Sequence, residues 1–201
     1  MSGAAPAGAD KTVTSLEDSS YTFSSGDFGF SDTSDSPANS LLAVVITTLP
    51  AVGTLKLNNV AVTLGQSVPV ASIGGLVYAP AANADGTGYA SFTFQVQDDG
   101  GTANGGVDTD LTARTITVDV TSVNDAPSGA DKTVTSLEDG SYTFSAADFG
   151  FADTSDSPAN ELAAVVIATL PANGTLSLDG EPVTVGQSDR KSTRLNSSHR
   201  T

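Results

Sequence analysis

The feature that most constrains this chain is a long internal repeat. Residues 8–67 recur at 129–188 with a fixed offset of 121 residues, and 46 of the 60 aligned positions are identical. This period is far longer than the roughly 20 to 50 residues of solenoid and propeller repeats. It is about the size of an ordinary domain, so each repeat is predicted to have its own core. A tandem array of whole domains favours reach or multivalent binding over a single active centre.

Within the first repeat, apolar and polar residues alternate, which is typical of half-buried β-strands. In residues 91–97, for example, Phe92, Phe94 and Val96 share one face. Clusters of Gly, Asn, Asp and Pro separate such segments, and no helical periodicity competes with them. The seven predicted strands, A to G, cover residues 12–16, 20–24, 41–49, 53–57, 75–79, 91–97 and 115–121.

Seven short strands, each with one polar face, predict a two-sheet β-sandwich of the immunoglobulin-like Greek-key type. The predicted fold class is therefore all-β, with two sandwiches in tandem. The second repeat keeps only strands A to D and is expected to be a truncated sandwich, unstable by itself. The predicted segments are an N-terminal linker (1–7), a complete repeat (8–122), an interdomain linker (123–128, VNDAPS) and the truncated repeat (129–188).

The end of the sequence departs from the repeat. Where the first copy continues with VPVASIGGL, the second continues with DRKSTRLNSSH at 189–199. This stretch resembles a translated sequencing-library adapter, so residues 189–201 are expected to form an artefactual, disordered tail. A natural basic tail is the alternative. Without residues 189–201 the chain has 22 acidic and four basic residues, a formal charge of −18.

Composition excludes several kinds of function. The full chain carries 23 acidic and 8 basic residues, which disfavours nucleic acid and anionic membranes and attracts cations. It has no Cys, and its one His lies in the tail, which excludes thiolate metal sites, disulfides and the commonest nucleophile–base pairs. Oxygen ligands remain, and these suit calcium or magnesium. No apolar run reaches the roughly 18 residues of a membrane span.

In the predicted topology the acidic residues gather at strand ends. The A–B turn, the E–F loop and the segment after strand G share one pole of the first sandwich, and the B–C loop of the second repeat is expected to face them. Calcium takes six to eight oxygen ligands, so we predict a calcium site at this joint between adjacent repeats. The predicted ligands are Glu17, Asp18, Asp85, Asn124, Asp125, Asp153 and Asp156, with Asn83 and Asn160 nearby.

These motifs also have a purely structural interpretation. Asp, Asn and Gly in loops commonly hydrogen-bond their own backbone as turn formers, and the Glu17–Asp18 pair fits a solvated turn. The F–G loop, 98–101, is expected to carry an incomplete site, because Gly3 and Ala4 stand where the second repeat has Asn124 and Asp125.

Three motifs resemble the cadherin-like tandem repeats of large, type I secreted bacterial surface adhesins. They are LED (16–18 and 137–139), VNDAP (123–127) and DTSDSPAN (32–39 and 153–160). VNDAP resembles the calcium-binding linker between cadherin domains. The resemblance implies an extracellular, calcium-stiffened spacer or adhesive arm, with a cell-surface protein or glycan as its target. The L-D-R-E motif of classical cadherins is missing, and NADGTG takes its place, which leaves Asp85 without a counterpart.

The sequence therefore predicts a non-catalytic module. Paired carboxylates suffice for glycoside hydrolysis, but the acids here recur in both repeats at strand ends, with no aromatic cleft suggested around them. One alternative is a carbohydrate-binding module, which predicts an exposed aromatic platform on a sheet face. The other is an acidic spacer without specific calcium sites, which predicts acids spread over all faces.

Overall fold

The computed structural model of this chain describes residues 3–190 and 195–198. It divides into two units, Met1–Val123 and Asn124–Thr201. Both units are built from β-strands and short 3₁₀ turns, which confirms the predicted all-β class. Among the described residues, no helix is long and apolar enough to cross a membrane.

In its described residues, 3–123, the first unit contains nine strands and three 3₁₀ turns. The strands are β1 (Lys11–Leu16), β2 (Tyr21–Thr22), β3 (Leu41–Ile46), β4 (Thr54–Leu57), β5 (Val60–Ala61), β6 (Ser67–Pro69), β7 (Leu76–Ala79), β8 (Gly86–Asp98) and β9 (Arg114–Thr121). The 3₁₀ turns are Ser25–Phe28, Val70–Gly75 and Ala103–Gly105.

These strands form two sheets around one core. The first sheet has the order β1-β9-β8-β3-β6, in which β1 runs parallel to β9 and the other neighbours are antiparallel. The second sheet has the order β2-β7-β4-β5. Alternate residues of both sheets point into a shared hydrophobic core, where Phe23, Phe28, Phe92 and Phe94 make edge-on or tilted ring contacts.

All seven strands predicted from the sequence are present in this unit. The alternation in β8 is confirmed, since Phe92, Phe94 and Val96 are fully buried. The third predicted strand, 41–49, ends early at Ile46, because the chain then turns so that the Thr47 and Thr48 amides both donate to the Thr93 carbonyl. The sequence analysis missed β5 and β6, which are only two and three residues long.

The segment predicted as an N-terminal linker is part of the first unit in its described portion, residues 3–7. Ala7 and Ser31 exchange two backbone hydrogen bonds of 2.8 Å, and the Val107 amide donates to the Gly3 carbonyl. Residues 1 and 2 lie outside the described part. The predicted linker 123–128 begins at the boundary between the units, but from Asn124 onward it belongs to the second unit.

The second unit repeats part of this plan. Its strands are β10 (Ser141–Thr143), β11 (Ala164–Val166), β12 (Thr175–Leu178), β13 (Glu181–Pro182), β14 (Ser188–Arg190) and β15 (Leu195–Ser198), with one 3₁₀ turn at Ala146–Phe149. One sheet has the order β10-β15-β12-β13, and β11 pairs with β14 in a second.

The predicted disordered tail from Asp189 is therefore wrong for its described residues. Strand β14 lies 121 residues after β6 and pairs with β11 as β6 pairs with β3. Strand β15 pairs with β10 and β12, the place that β7 takes between β2 and β4. Backbone hydrogen bonding does not depend on side-chain identity, so an unrelated extended sequence can complete these ladders. Residues 191–194 and 199–201 lie outside the described part.

One identical hexapeptide has different structures in the two units. KTVTSL forms β1 at Lys11–Leu16, where it is hydrogen-bonded along β9, whereas residues 132–137 are not in a strand. Val13 is buried but Val134 is only half-buried, and Leu137 is 84% exposed. Within the described residues the second unit has no counterpart of β8 or β9. The strand at 11–16 thus depends on its partner rather than on its own sequence.

The first 3₁₀ turn, Ser25–Phe28, is fixed by the buried carboxylate of Asp27. Its Oδ2 accepts hydrogen bonds from the amide (2.8 Å) and hydroxyl (2.9 Å) of Ser24, which form a capping box. Its Oδ1 accepts from Lys11 Nζ at 2.6 Å and from the Tyr21 hydroxyl. Burial raises the pKa of Asp27, but the hydrogen bonds from Lys11 and Ser24 outweigh burial and hold the pKa below its usual value.

Replacing Asp27 with Ala is expected to lower the free energy of unfolding of the first unit by about 1–2 kcal/mol at pH 7, the size of a lost cap. A carboxyl with a lowered folded pKa stabilises above its unfolded pKa of about 3.9, and that contribution is lost as the pH falls through the folded pKa. Melting temperatures from pH 7 to 2 should therefore fall more steeply below about pH 4 in the wild type than in Asp27→Ala. The exposed residue Asp131 provides the control, Asp131→Ala; parallel curves for all three proteins would contradict this role.

Candidate metal centre

The B–C loop of the first unit holds two acidic side chains by hydrogen bonds within the loop. Asp32 is buried, and its Oδ2 accepts from the Asn39 amide at 2.7 Å. Asp35 accepts from the Ala4 amide at 2.9 and 3.0 Å and from Asn39 Nδ2 at 3.0 Å. Asn39 therefore connects both carboxylates and fixes the shape of the loop.

Asp98 brings a further carboxylate to this end of the unit from strand β8. Only 1% of Asp98 is exposed, and its Oδ1 accepts from the Gly100 amide at 2.8 Å. Burial and then the charges of Asp32, Asp108 and Asp35 raise the pKa of Asp98, although the Gly100 hydrogen bond opposes this rise. The mutual repulsion of these carboxylates indicates an electronegative pole.

Two oxygens at this pole are buried without a hydrogen-bond partner in the described part of the chain. They are Oδ1 of Asp32 and Oδ2 of Asp98. A buried polar atom without a partner costs about 1–3 kcal/mol, and more if it is charged. The pole of the first unit, defined by Asp32, Asp35 and Asp98, is here called the acidic pole.

The second unit has the same loop in the same arrangement. The Asn160 amide donates to Asp153 Oδ2 at 2.7 Å, and its side chain donates to Asp156 Oδ2 at 2.6 Å. The Asp125 amide donates to Asp156 Oδ1 at 2.8 Å, as Ala4 does to Asp35. Asn160 also donates to the Asn124 side chain at 2.9 Å. Oδ1 of Asp153 is buried without a hydrogen bond among the described residues, as Oδ1 of Asp32 is.

Four of the predicted ligands thus lie together in the second unit. Asn124, Asp125, Asp153 and Asp156 share the hydrogen-bond network of Asn160. Asp153 and Asp156 are buried, Asp125 is half-buried and Asn124 is exposed. The hydrogen bonds between amides and carboxylates within DTSDSPAN also agree with the alternative interpretation of this motif as a turn former.

The remaining predicted ligands lie in the first unit. Glu17 is buried rather than solvated; its Oε1 accepts from the Val123 amide and from Ser122 Oγ, and its Oε2 is buried without a hydrogen bond in the described residues. Asp18 Oδ1 accepts from the Asn83 amide at 3.0 Å, so the A–B turn and the E–F loop do meet. Asp85 is half-buried in that loop and has no hydrogen bond to its side chain in the described residues.

The sequence analysis did not include Asp32 and Asp35 among the predicted ligands, and it placed Asp98 in an F–G loop site that it expected to be incomplete. It treated the F–G loop site as incomplete because Gly3 and Ala4 replace Asn124 and Asp125, yet the Ala4 amide makes the same contact as the Asp125 amide. Two signals were available. Asp32 and Asp35 are the repeat counterparts of Asp153 and Asp156, and Asp98 follows directly on the buried alternation of β8.

The acidic pole can coordinate a cation only through oxygen ligands. Its carboxylates and amide oxygens are hard ligands, which calcium accepts in flexible sets of six to eight at about 2.3–2.6 Å. Magnesium requires a near-octahedral set at shorter distances and retains several waters.

The aromatic side chains do not form a binding platform in the described residues. Phe23, Phe28, Tyr78, Phe92 and Phe94 are buried in the core. All other Phe and Tyr residues are half-buried. The exposed aromatic face expected of a carbohydrate-binding module is therefore not observed among them.

Comparison of the chain with protein-family models, with curated proteins and with solved structures gives no match.

Proposed function

We propose that this chain is a non-catalytic, calcium-binding repeat module of the immunoglobulin-like, cadherin-like type, which serves as an extracellular spacer or adhesive arm. The tandem repeat of an all-β unit supports an array, and the acidic residues at the ends of the strands support cation binding. The partner orders of the two sheets and the parallel pairing of β1 with β9 fit an immunoglobulin-like sandwich.

The observation that carries this proposal is the pair of unpartnered oxygens at the acidic pole. Asp32 and Asp98 are 6% and 1% exposed, and each has one oxygen that no described group satisfies. A calcium ion held by Asp32 or Asp98 would satisfy a buried oxygen and offset the repulsion among the carboxylates of the acidic pole, with water completing its ligand set.

The second unit supports the same chemistry through Asp153 and Asp156. Asn124 and Asp125 follow directly on the first unit, and their contacts with Asn160 and Asp156 hold them against this loop. Calcium bound there would order the first residues of the second unit. In an array of such repeats, each bound ion would shorten the flexible part of the chain between sandwiches, which makes the array stiffer where calcium is abundant.

Calcium should raise the melting temperature of the first unit, and Asp32→Asn should abolish that rise. For a dissociation constant of about 0.1–1 mM, 1 mM calcium stabilises by about 0.4–1.4 kcal/mol per site, or about 2–8 °C. Melting is followed at fixed ionic strength with calcium, with magnesium and with chelator. Asp119→Asn is the matched control, because it removes the same charge on β9 and retains the acceptor for the Gly88 amide.

Two results would contradict the proposal. One is an equal effect of calcium and magnesium, which would indicate general screening of an acidic surface. The other is an unchanged calcium response in Asp32→Asn, which would remove the acidic pole from consideration. Loss of the response in Asp119→Asn alone would place the ion elsewhere on the sandwich.

A further inference from the structure

The chain contains two Asn-Gly pairs, Asn104-Gly105 and Asn173-Gly174. Asparagine followed by glycine can react with its own backbone, because glycine has no side chain to keep its amide nitrogen away from the asparagine Cγ. Both asparagines are exposed, and in the described part of the chain no hydrogen bond holds either side-chain amide. The two pairs therefore differ only in their backbone settings, which decide which of them can react.

Asn104 lies inside a closed 3₁₀ turn. The turn Ala103–Gly105 is closed by a hydrogen bond of 3.1 Å from the Gly106 amide to the Ala103 carbonyl. Asn104 has a left-handed backbone there, with φ 58° and ψ 27°. At this ψ the Gly105 nitrogen lies almost opposite Cβ across the Cα–C bond of Asn104. The turn must open before this nitrogen can approach Cγ, so the folded loop protects the pair.

Asn173 lies in a bend that no backbone hydrogen bond closes. Among the described residues, the backbone groups of 172–174 have no hydrogen bond to another backbone group. The equivalent bend of the first unit, 51–53, also has no backbone–backbone hydrogen bond within that part of the chain. The open bend is therefore a property of the repeat, and the backbone around Asn173 is free to rotate.

We propose that Asn173 is a site of spontaneous deamidation through a succinimide. The backbone nitrogen of Gly174 bonds to Cγ of Asn173, and the side-chain nitrogen leaves as ammonia with the amide proton. Water then opens the five-membered ring at either carbonyl. Cleavage of the bond to Cγ gives aspartate, and cleavage of the bond to the main-chain carbonyl carbon gives isoaspartate. The net reaction consumes one water and releases one ammonia, with no oxidation or reduction.

The two products act differently on strand β12, which begins at Thr175 directly after this pair. Aspartate adds a negative charge and leaves the main chain unchanged. Isoaspartate also lengthens the main chain by a methylene between residues 173 and 174, which displaces the chain as it enters the ladder of β12 with β13. The first repeat cannot be modified in this way, since Val52 occupies the equivalent position. The two repeats therefore age differently.

The test follows both Asn-Gly pairs in the whole chain by peptide mass spectrometry during incubation at mildly alkaline pH. The peptide around Asn173 is expected to gain the mass difference between an amide and a carboxylic acid, as two products that separate chromatographically. Asn104 should react about two- to tenfold more slowly, the effect of one backbone hydrogen bond. The variant Asn173→Val, which copies the first repeat, should keep its mass at this position.

Transient unfolding of the second unit would also expose Asn173, so the same bend is tested in the first unit. Val52→Asn places an Asn-Gly pair ahead of β4, and position 52 is expected to be modified while the unit is folded. The Tyr78 hydroxyl donates to the Val52 carbonyl at 3.0 Å, which restrains this bend. Adding Tyr78→Phe should therefore raise the rate at position 52 by about two- to tenfold.

Any of four results would overturn the proposal. The first is an unmodified Asn173 under conditions that modify a free peptide of residues 168–178. The second is modification of Asn104 at the same rate as Asn173 or faster. The third is formation of aspartate without isoaspartate, which would indicate direct hydrolysis. The fourth is an unmodified position 52 in both first-unit variants while native-state hydrogen exchange shows that unit folded, because reaction at Asn173 would then report only unfolding.

Discussion

Phe28→Ala is expected to lower the free energy of unfolding of the first unit by about 3–5 kcal/mol, the usual cost of removing a buried phenylalanine. Phe28 is fully buried and contacts the rings of Phe94 and Phe23. Domains of this size have about 5–15 kcal/mol of total stability, so the variant should be close to unfolding at ambient temperature. Few single substitutions in this unit should have a larger effect.

The internal repeat supplies a matched control at the same position. Phe149 is the counterpart of Phe28, but it is half-buried beside an open cleft, so Phe149→Ala should cost the second unit about 1–2 kcal/mol. Native-state hydrogen exchange reports on the two units separately, through the amides of β8 and of β12. Equal losses in the two variants would mean that β8 does not provide the burial of Phe28.

Alternation in the sequence was sufficient to locate the strands of the first unit, because each strand has one buried and one exposed face. It could not reveal which strands depend on a partner. KTVTSL forms β1 in one unit and no strand in the other, although its own residues are identical. Parallel pairing with β9 makes the difference, and that contact spans about a hundred residues of sequence. Local pattern carries no information about such a contact.

Strands β14 and β15 show that strand structure can persist where sequence similarity between the repeats is lost. Sequence comparison ended the repeat at Ser188, yet Ser188–Arg190 and Leu195–Ser198 complete ladders in the second unit. Backbone donors and acceptors on open strand edges accept many sequences. A loss of sequence similarity therefore did not imply a loss of strand structure. It did remove the apolar alternation that lets β8 cover the core of the first unit.

The candidate site was predictable by residue type and only partly by position. Acidic loop residues can be recognised in the sequence, but which of their oxygens lose water depends on the packing around them. Asp98 is buried because it ends a strand whose alternate residues are in the core, and Asp32 because Asn39 turns the loop over it. Glu17, predicted as a calcium ligand with a solvated turn as the alternative, is buried and accepts a hydrogen bond from the Val123 amide.

The effect of Asp98→Asn on stability is expected to depend on calcium. In chelator the variant should be more stable than the wild type by about 1–2 kcal/mol, because Asn removes a buried charge that is repelled by Asp32 and Asp35. In saturating calcium the wild type should gain the stabilisation of the bound ion, while the variant lacks one of its carboxylate ligands. The stability difference between the two proteins should therefore shrink or reverse as calcium is added.

The pH dependence gives an independent check in chelator. A carboxyl with a raised folded pKa stabilises fully below its unfolded pKa of about 3.9, and that contribution is lost as the pH rises through the folded pKa. The advantage of Asp98→Asn should therefore be largest near pH 7 and should have vanished by about pH 3. Asp99→Asn, one residue along and bound to the Ser40 amide, controls for the loss of a charge in the same loop. An advantage that is constant with pH and indifferent to calcium would mean that Asp98 serves packing alone, since only a charge repelled by neighbouring carboxylates responds to both protons and cations.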